Sequence, residues 1–377
     1  MKSEWTYRPL GELVSFASGG TPSKKRDDYW DGTIPWISAK TLKTENIDTS
    51  DLFITEEGLK AGSKIAPKGS ILLLTRGSGL FNGIPIARVE KDVAFNQDIK
   101  CLDSYGEVEN EFIFYWLLSQ KDYLMAKVGV TGIGAGKFDL DFLQKLMIPI
   151  PSERERKSIV GFASSISEKI RCNAKVNENL QQQLRTIFKA EFTDNPELEN
   201  ITQIPLSELC HVVTKGTTPT TLGKPFVESG INFIKAESIL DNHSIDKSKF
   251  AFIDEETNAL LKRSIIHVGD VVFTIAGTLG RFALIDENVL PANTNQAVAI
   301  IRADVEKVLP EYIYTCFIGE WHTDYYAKRV QQAVQANLSL TTIKSLPIPL
   351  LDEAKMSEYL SLILPLIKEI KTNEAQN

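Results

Sequence analysis

The chain has 377 residues, 43% of them hydrophobic, a length that suits two or three domains, each with enough apolar content to bury a core. Its net charge of −7 and pI near 5.4 argue against a protein that coats nucleic acid by bulk charge, while leaving room for a local basic groove. Cys101, Cys172, Cys210 and Cys316 form no CxxC pair, so neither a zinc site nor a disulfide framework is indicated and a reducing cytoplasm is expected. Met1-Lys2-Ser3-Glu4-Trp5 lacks the apolar region of a signal peptide, and no apolar run approaches the ~18 residues of a membrane span.

In chain order, Val/Ile/Leu/Phe runs bounded by Gly, Pro and Asn predict short strands, of which Ser70 to Thr75 is the clearest in the first part. A helix rich in aromatic residues is predicted from Glu111 to about Lys127. Gly132-Ile133-Gly134-Ala135-Gly136-Lys137 departs from P-loop spacing, because Thr131 and Phe138 stand where glycine and a hydroxyl residue are needed. It reads as a flexible binding loop. Pro151-Ser152-Glu153-Arg154-Glu155 then sets up a capping box, with Ser152 and Glu155 each able to satisfy the other's amide. Ile159, Phe162, Ile166, Ile170, Val176, Leu180, Leu184 and Ile187 recur at three- and four-residue steps, which predicts one helix of roughly 60 Å ending near Phe192. Its length and polar flanks suit a coiled-coil arm better than a core helix. Asn177 falls where that helix reads as polar surface.

The second half of the chain repeats the first at an offset of roughly 200 residues, far beyond the period of a solenoid. Pro9-Leu10-Gly11-Glu12-Leu13 meets Pro205-Leu206-Ser207-Glu208-Leu209, and Gly20-Thr21-Pro22 meets Thr217-Thr218-Pro219. Ile34-Pro35-Trp36-Ile37 meets Ile231-Asn232-Phe233-Ile234, Ser70 to Thr75 with Gly77 meets Asp270 to Ile275 with Gly277, and Asn96-Gln97 meets Asn295-Gln296. Ile148-Pro149-Ile150-Pro151 meets Leu346-Pro347-Ile348-Pro349. A second aromatic helix is predicted from Pro310 to about Val330, and a second stripe, Tyr359, Leu360, Ile363, Leu366 and Ile370, from Asp352 onward with a kink at Pro365. The predicted class is α+β: similar mixed domains over 1–151 and 193–351, separated by an antiparallel coiled coil of a long helix, 152–192, and a short one, 352–377. Duplication makes the body pseudo-two-fold. The short helix has no counterpart to Arg171 through Phe192.

Catalytic patterns are scarce. His211, His243, His267 and His322 show no metal-ligand spacing and no paired nucleophile, and the carboxylate pairs Glu56-Glu57 and Glu255-Glu256 fall on predicted surface turns. Two like domains on a strut suit a long regular ligand, above all double-stranded DNA, whose base edges are read by Arg, Lys, Asn, Gln, Ser or Thr. Candidate DNA-binding residues in the first half are Lys40, Arg76, Ser78, Asn82, Asn96, Gln97, Thr131 and Lys137. Those in the second are Lys235, Thr278, Arg281, Asn295, Gln296, Gln331, Gln332 and Gln335. Positions identical in both halves cannot tell two half-sites apart, so the Asn-Gln pairs and Gly77/Gly277 are expected to be structural or phosphate-facing, and the divergent positions to read bases.

Gly19-Gly20-Thr21-Pro22-Ser23, then Tyr29-Trp30-Asp31-Gly32 and Ile34-Pro35-Trp36-Ile37, together with the Asn-Gln pair, the Ile-Pro-Ile-Pro segment and the duplication, resemble specificity subunits of type I restriction-modification systems. The resemblance spans the whole chain; the second half lacks the Tyr-Trp-Asp-Gly stretch. It implies two target-recognition domains, each reading half of a bipartite DNA site, with helices that set the spacing and dock two modification (methyltransferase) subunits. Restriction subunits would complete the assembly. It implies no catalysis by this chain, with S-adenosylmethionine, ATP and magnesium belonging to the partner subunits. Arg154, Arg156, Lys157, Phe162, Ile166, Lys355, Tyr359 and Leu362 are the expected docking residues. A two-domain scaffold for protein or carbohydrate is the alternative, and a stand-alone enzyme is disfavoured by the missing motifs.

Overall fold

A computed structural model describes residues 5–130, 134–195, 201–323, 325–326 and 337–376, with only the backbone of Asn82. Two compact units divide at Glu168/Lys169, so the boundary falls inside the long helix rather than at its start. That helix runs unbroken from Glu153 to Phe192. The capping box forms as the sequence indicates: the Ser152 amide donates to Glu155 Oε2 at 3.0 Å and the Glu155 amide to Ser152 Oγ at 3.4 Å.

The first unit is built on a five-stranded sheet in the order Val14–Ser18, Ile99–Ser104, Ile71–Leu74, Ile86–Val89, Asn46–Ile47. Ile71 to Leu74 are all fully buried, the continuous apolar pattern of a strand covered on both faces. A second sheet runs Phe53–Ile54, Trp30–Ile37, Val93–Phe95, Lys64–Ala66. Here Trp36 packs edge-on against Trp30 with ring centroids 5.2 Å apart, and its indole N–H donates to the Gly20 carbonyl at 3.1 Å. That accounts for the Tyr-Trp-Asp-Gly and Ile-Pro-Trp-Ile stretches as packing elements of this sheet.

The second unit repeats the order with Cys210–Lys215, Val298–Ala303, Val271–Thr274, Phe282–Leu284, and with Ala251–Ile253, Ile231–Ile234, Ala292–Thr294. In both units the chain crosses between sheets through one parallel pairing, Ala94 opposite Trp36 and Phe233 opposite Asn293. Proline-bounded strands close each unit, Thr6–Pro9 on Met147–Ile150 and Gln203–Pro205 on Pro347–Pro349.

Several expectations need correction. The first aromatic helix stops at Ser119 and resumes over Lys121–Met125, because Gln120 takes φ −97°, ψ 4°; the second spans Pro310–Ile318, and what was expected beyond residue 326 lies outside the described residues. Glu56-Glu57 and Glu255-Glu256 are not on turns but in the first turns of short helices capped by Thr55 and Asp254, where carboxylates oppose the helix dipole favourably. The second stripe lies on one helix, Glu353–Gln376, with Pro365 inside it as the sequence indicates.

That helix packs antiparallel on the later part of the long one, with Phe192 against Tyr359 at 5.4 Å and Asn177 beside Asn373. Asn177 is therefore not polar surface. It is 9% exposed, donates to the Ile370 carbonyl at 3.2 Å and accepts from Asn373 Nδ2 at 2.9 Å. Ile159, Phe162 and Ile166, which lie before this pairing, remain 37%, 72% and 46% exposed. Among the described residues, no helix is long and apolar enough to cross a membrane.

The core of the second unit holds His322, 3% exposed, edge-on to Phe317 and Phe273, and His243 stacked on Phe282 at 4.0 Å. Burial pushes both imidazoles down to about 4, with Arg185 adding to the effect at His243. The unfolded chain takes up these protons below pH 6.5, the ordinary value, whereas the native state resists until about 4. Stability is thus lost as pH falls through that window. Glu374, whose carboxyl burial pushes up, acts in the opposite sense, so the histidine contribution is read by difference. Thermal unfolding between pH 7 and 4.5 should show a falling melting temperature for the second unit. The fall should be shallower in His322→Phe, and an unchanged slope in that variant would remove the histidine from the account.

Candidate nucleic-acid interface

The Gly-Thr-Pro and Asn-Gln motifs, far apart in sequence, form one element in each unit. In the first, Asn96 is 5% exposed and its Oδ1 accepts from the Asp98 amide at 3.1 Å, closing the turn that starts the Ile99–Ser104 strand. Gln97 stays exposed, and its Oε1 accepts from the Thr21 hydroxyl at 2.7 Å. The glycines permit this approach: a Cβ on Gly19 would lie 2.0 Å from the Phe95 carbonyl oxygen, and one on Gly20 1.9 Å from that of Gly62. The second unit repeats the device. Asn295 Oδ1 accepts from the Ala297 amide at 3.1 Å, and Gln296 Oε1 accepts from the Thr218 amide at 3.2 Å and from its hydroxyl. A Cβ on Gly216 would meet the Thr294 carbonyl oxygen at 1.9 Å. With each glutamine's oxygen engaged, the nitrogen is left to donate: in Gln97 one hydrogen is directed at Asp98 Oδ2 at 3.5 Å and the second is available to a ligand.

Beside the turn the first unit gathers positive charge. Arg76 and Lys137 are exposed and directly opposite one another on the short antiparallel strands Arg76–Gly77 and Gly136–Lys137, an arrangement that repels unless an anion or acceptor lies between. They share a cavity of about 270 Å³ with Gln97, Lys100 and Asp139, floored by Phe138 and Leu143. The expected flexible loop is thus, at its end, an ordered strand; residues 131–133 lie outside the described residues. Lys100 was not among the residues singled out from sequence. It alternates with buried Ile99 and Cys101, and that alternation was the available signal.

One backbone bond beside this cavity has a counterpart in the second unit, while the side chains around it differ. Phe138 N donates to Thr75 O and Leu338 N to Ile275 O, both at 2.9 Å. Counting from these bonds, Ala276, Asn337 and Ser339 stand where the first unit has Arg76, Lys137 and Asp139.

The remaining candidates are dispersed. Lys40, Ser78 and Thr278 are exposed, whereas Lys235 sits 3.3 Å from Glu237. Arg281 is half-buried, its guanidinium held by both oxygens of exposed Asp241 at 2.6 and 2.8 Å and by the Ile239 carbonyl. Asn96, 5% exposed, closes its turn from inside, in the structural role expected of it. The Asn82 side chain, Thr131, Gln331, Gln332 and Gln335 lie outside the described residues.

Of the docking candidates, Arg154 is exposed, Lys157 is exposed beside Glu153 at 2.6 Å, and Lys355 is half-buried. Leu362 is 53% exposed, and Phe162 and Ile166 are 72% and 46% exposed, each on its own helix. Two others belong to the interior. Arg156 is 9% exposed, bonded to Glu109 at 2.9 Å and to the Pro151 carbonyl at 3.0 Å; Tyr359 is 2% exposed, between Phe192 and Tyr312.

Two copies of one frame, joined by a long helix, match a known pattern. The type I restriction modification DNA specificity domain is found twice, over residues 2–182 and 199–374. The chain belongs to that family. Among its relatives, the EcoR124I/EcoR124II specificity subunit of Escherichia coli is 31% identical over 161 residues, 42% of this chain and 40% of that one. The MjaIX specificity subunit of Methanocaldococcus jannaschii is 24% identical over 99% of this chain and 89% of its own length. The crystal structure of a type I system S subunit from M. genitalium superposes with a TM-score of 0.50 at 16% identity, covering 99% of this chain and 95% of that one, which supports the fold. Within this chain, the cavity at Arg76 and Lys137 lies beside a backbone bond that both specificity domains make, amid side chains that differ between them.

Proposed function

We propose that this chain is the DNA-reading subunit of a type I restriction-modification assembly, each unit reading one half of a bipartite target. The observation that carries the reading is the threonine–glutamine turn repeated in both units beside unlike side chains: a common support presents both units to DNA alike, and unlike side chains give each its own base preference. Arg76 and Lys137 read in the first unit. The chain performs no catalysis; S-adenosylmethionine, ATP and magnesium belong to modification and restriction subunits, and the assembly works in the cytoplasm. Exposed Arg154, Lys157, Phe162, Ile166 and Leu362 dock two modification subunits, and the Glu153–Phe192 helix sets the spacing of the half-sites.

Methylome sequencing of cells carrying the chain with its partner subunits tests the reading. Arg76→Ala with Lys137→Ala should relax one half-site and leave the other unchanged, since a well-placed bidentate contact discriminates by ~1–3 kcal/mol. An unaltered motif at full modification would sink the assignment. Four residues inserted after exposed Ser165, clear of the buried Asn177, lengthen the helix by roughly 6 Å, nearly two base pairs of ~3.4 Å. The gap in the motif should grow by one or two; an unchanged gap at undiminished activity would mean the helix does not set it. Phe162→Glu with Ile166→Glu should reduce the modification subunits recovered by pull-down, and normal recovery of two would remove this surface from docking.

A further inference from the structure

One positive charge keeps its place in both units while changing the strand that carries it. In the first, Lys100 lies directly opposite Ser18 across an antiparallel ladder and its ammonium donates to the Ser18 hydroxyl. In the second, Lys215 lies directly opposite Ala299. The two rungs are equivalent, because the inner strands share a register: Cys101 is opposite Leu72 and Ile300 opposite Val272, which aligns Lys100 with Ala299 and Ser18 with Lys215. Directly opposed residues project from the same face with Cβ atoms about 5 Å apart. The lysine has therefore crossed one rung and the charge has stayed on the same patch of sheet. Lysine at both ends of one rung would repel, and neither unit has it.

Around this rung the units differ. Arg76 corresponds to Ala276, Lys137 to Asn337 and Asp139 to Ser339, while the glutamine held by threonine is common to both. A group kept at one place whichever strand supplies it answers to a ligand that is the same in both half-sites. On DNA that ligand is the backbone, since base edges differ between sites and phosphates do not. Resting on the proposed function, we infer that Lys100 and Lys215 each seat one backbone phosphate of duplex DNA, with the amide nitrogen of Gln97 or Gln296 as a neutral donor beside it. Both lysines are half-buried, so each is positioned by its sheet.

The test is a salt titration of binding by the full chain assembled with its modification subunits. The probes are a duplex carrying the motif that the unaltered assembly methylates and a scrambled duplex of the same length. Lys100→Ser and Lys215→Ser should each lower the slope of log affinity against log salt by about 0.9, equally on both probes, with the methylated motif unchanged. Moving the cation, Ser18→Lys with Lys100→Ser, should restore the slope. A slope that stays at the unaltered value in the single variants overturns the inference. So does a loss confined to the motif duplex, which is the mark of base reading, or a relocated lysine that fails to restore the slope in a protein melting at the temperature of Lys100→Ser. If the unaltered assembly binds neither probe, the DNA reading itself fails; the lysine outcomes are distinguished from that one because they are measured against an assembly that binds.

Discussion

The two units rest on a contact that they share, the threonine hydroxyl donated to a glutamine carbonyl across a backbone with no room for side chains. The contact joins the Gly-Thr-Pro loop to the turn between sheets, where the chain leaves a parallel pairing and enters an antiparallel one. Asn96 and Asn295 close that turn from beneath. With the asparagine oxygens accepting its amides, the turn fixes where the strands that follow it begin. Reading side chains on those strands can then change without the frame moving. This separation of support from chemistry lets one domain serve twice.

Charge obeys the same division. The chain as a whole is acidic, so its field does not draw polyanions indiscriminately. Against that background, Arg76, Lys100 and Lys137 converge on one cavity in the first unit, whereas aligned positions in the second hold Ala276, Ala299 and Asn337, and Lys215 lies across the rung from Ala299. Contacts with DNA would thus be few and placed, and specificity would depend on geometry more than on attraction.

Much of this was legible in the sequence because it rests on local rules. A capping box and a stripe at helical spacing located the long helix nearly to the residue, and a repeated order of motifs disclosed the duplication before any sheet was known. What could not be read was which polar residues face inward. Arg156 and Asn177 have the composition of surface and the bonds of interior, since a buried polar group with partners looks, in sequence, like a solvated one. Tyr359 was placed on a docking face because an amphipathic stripe says only that something covers it, not whether the cover is another molecule or the same chain. Lys100 passed unnoticed for a related reason: its role depends on a strand some eighty residues away, and pairing register is a property of the folded sheet.

The amide pair formed by Asn177 and Asn373 sits in a seam that also buries Ile363, Ile367 and Ile370, where two leucines would bury more hydrocarbon. Its advantage is discrimination. Sliding one helix by a turn would leave both amides facing hydrocarbon with their bonds broken, at a cost that an all-leucine seam would not incur. The pair acts as a notch does in a pair of toothed racks, admitting one engagement and refusing its neighbours. A chain that had exchanged these asparagines for leucines would hold its helices more tightly and less particularly.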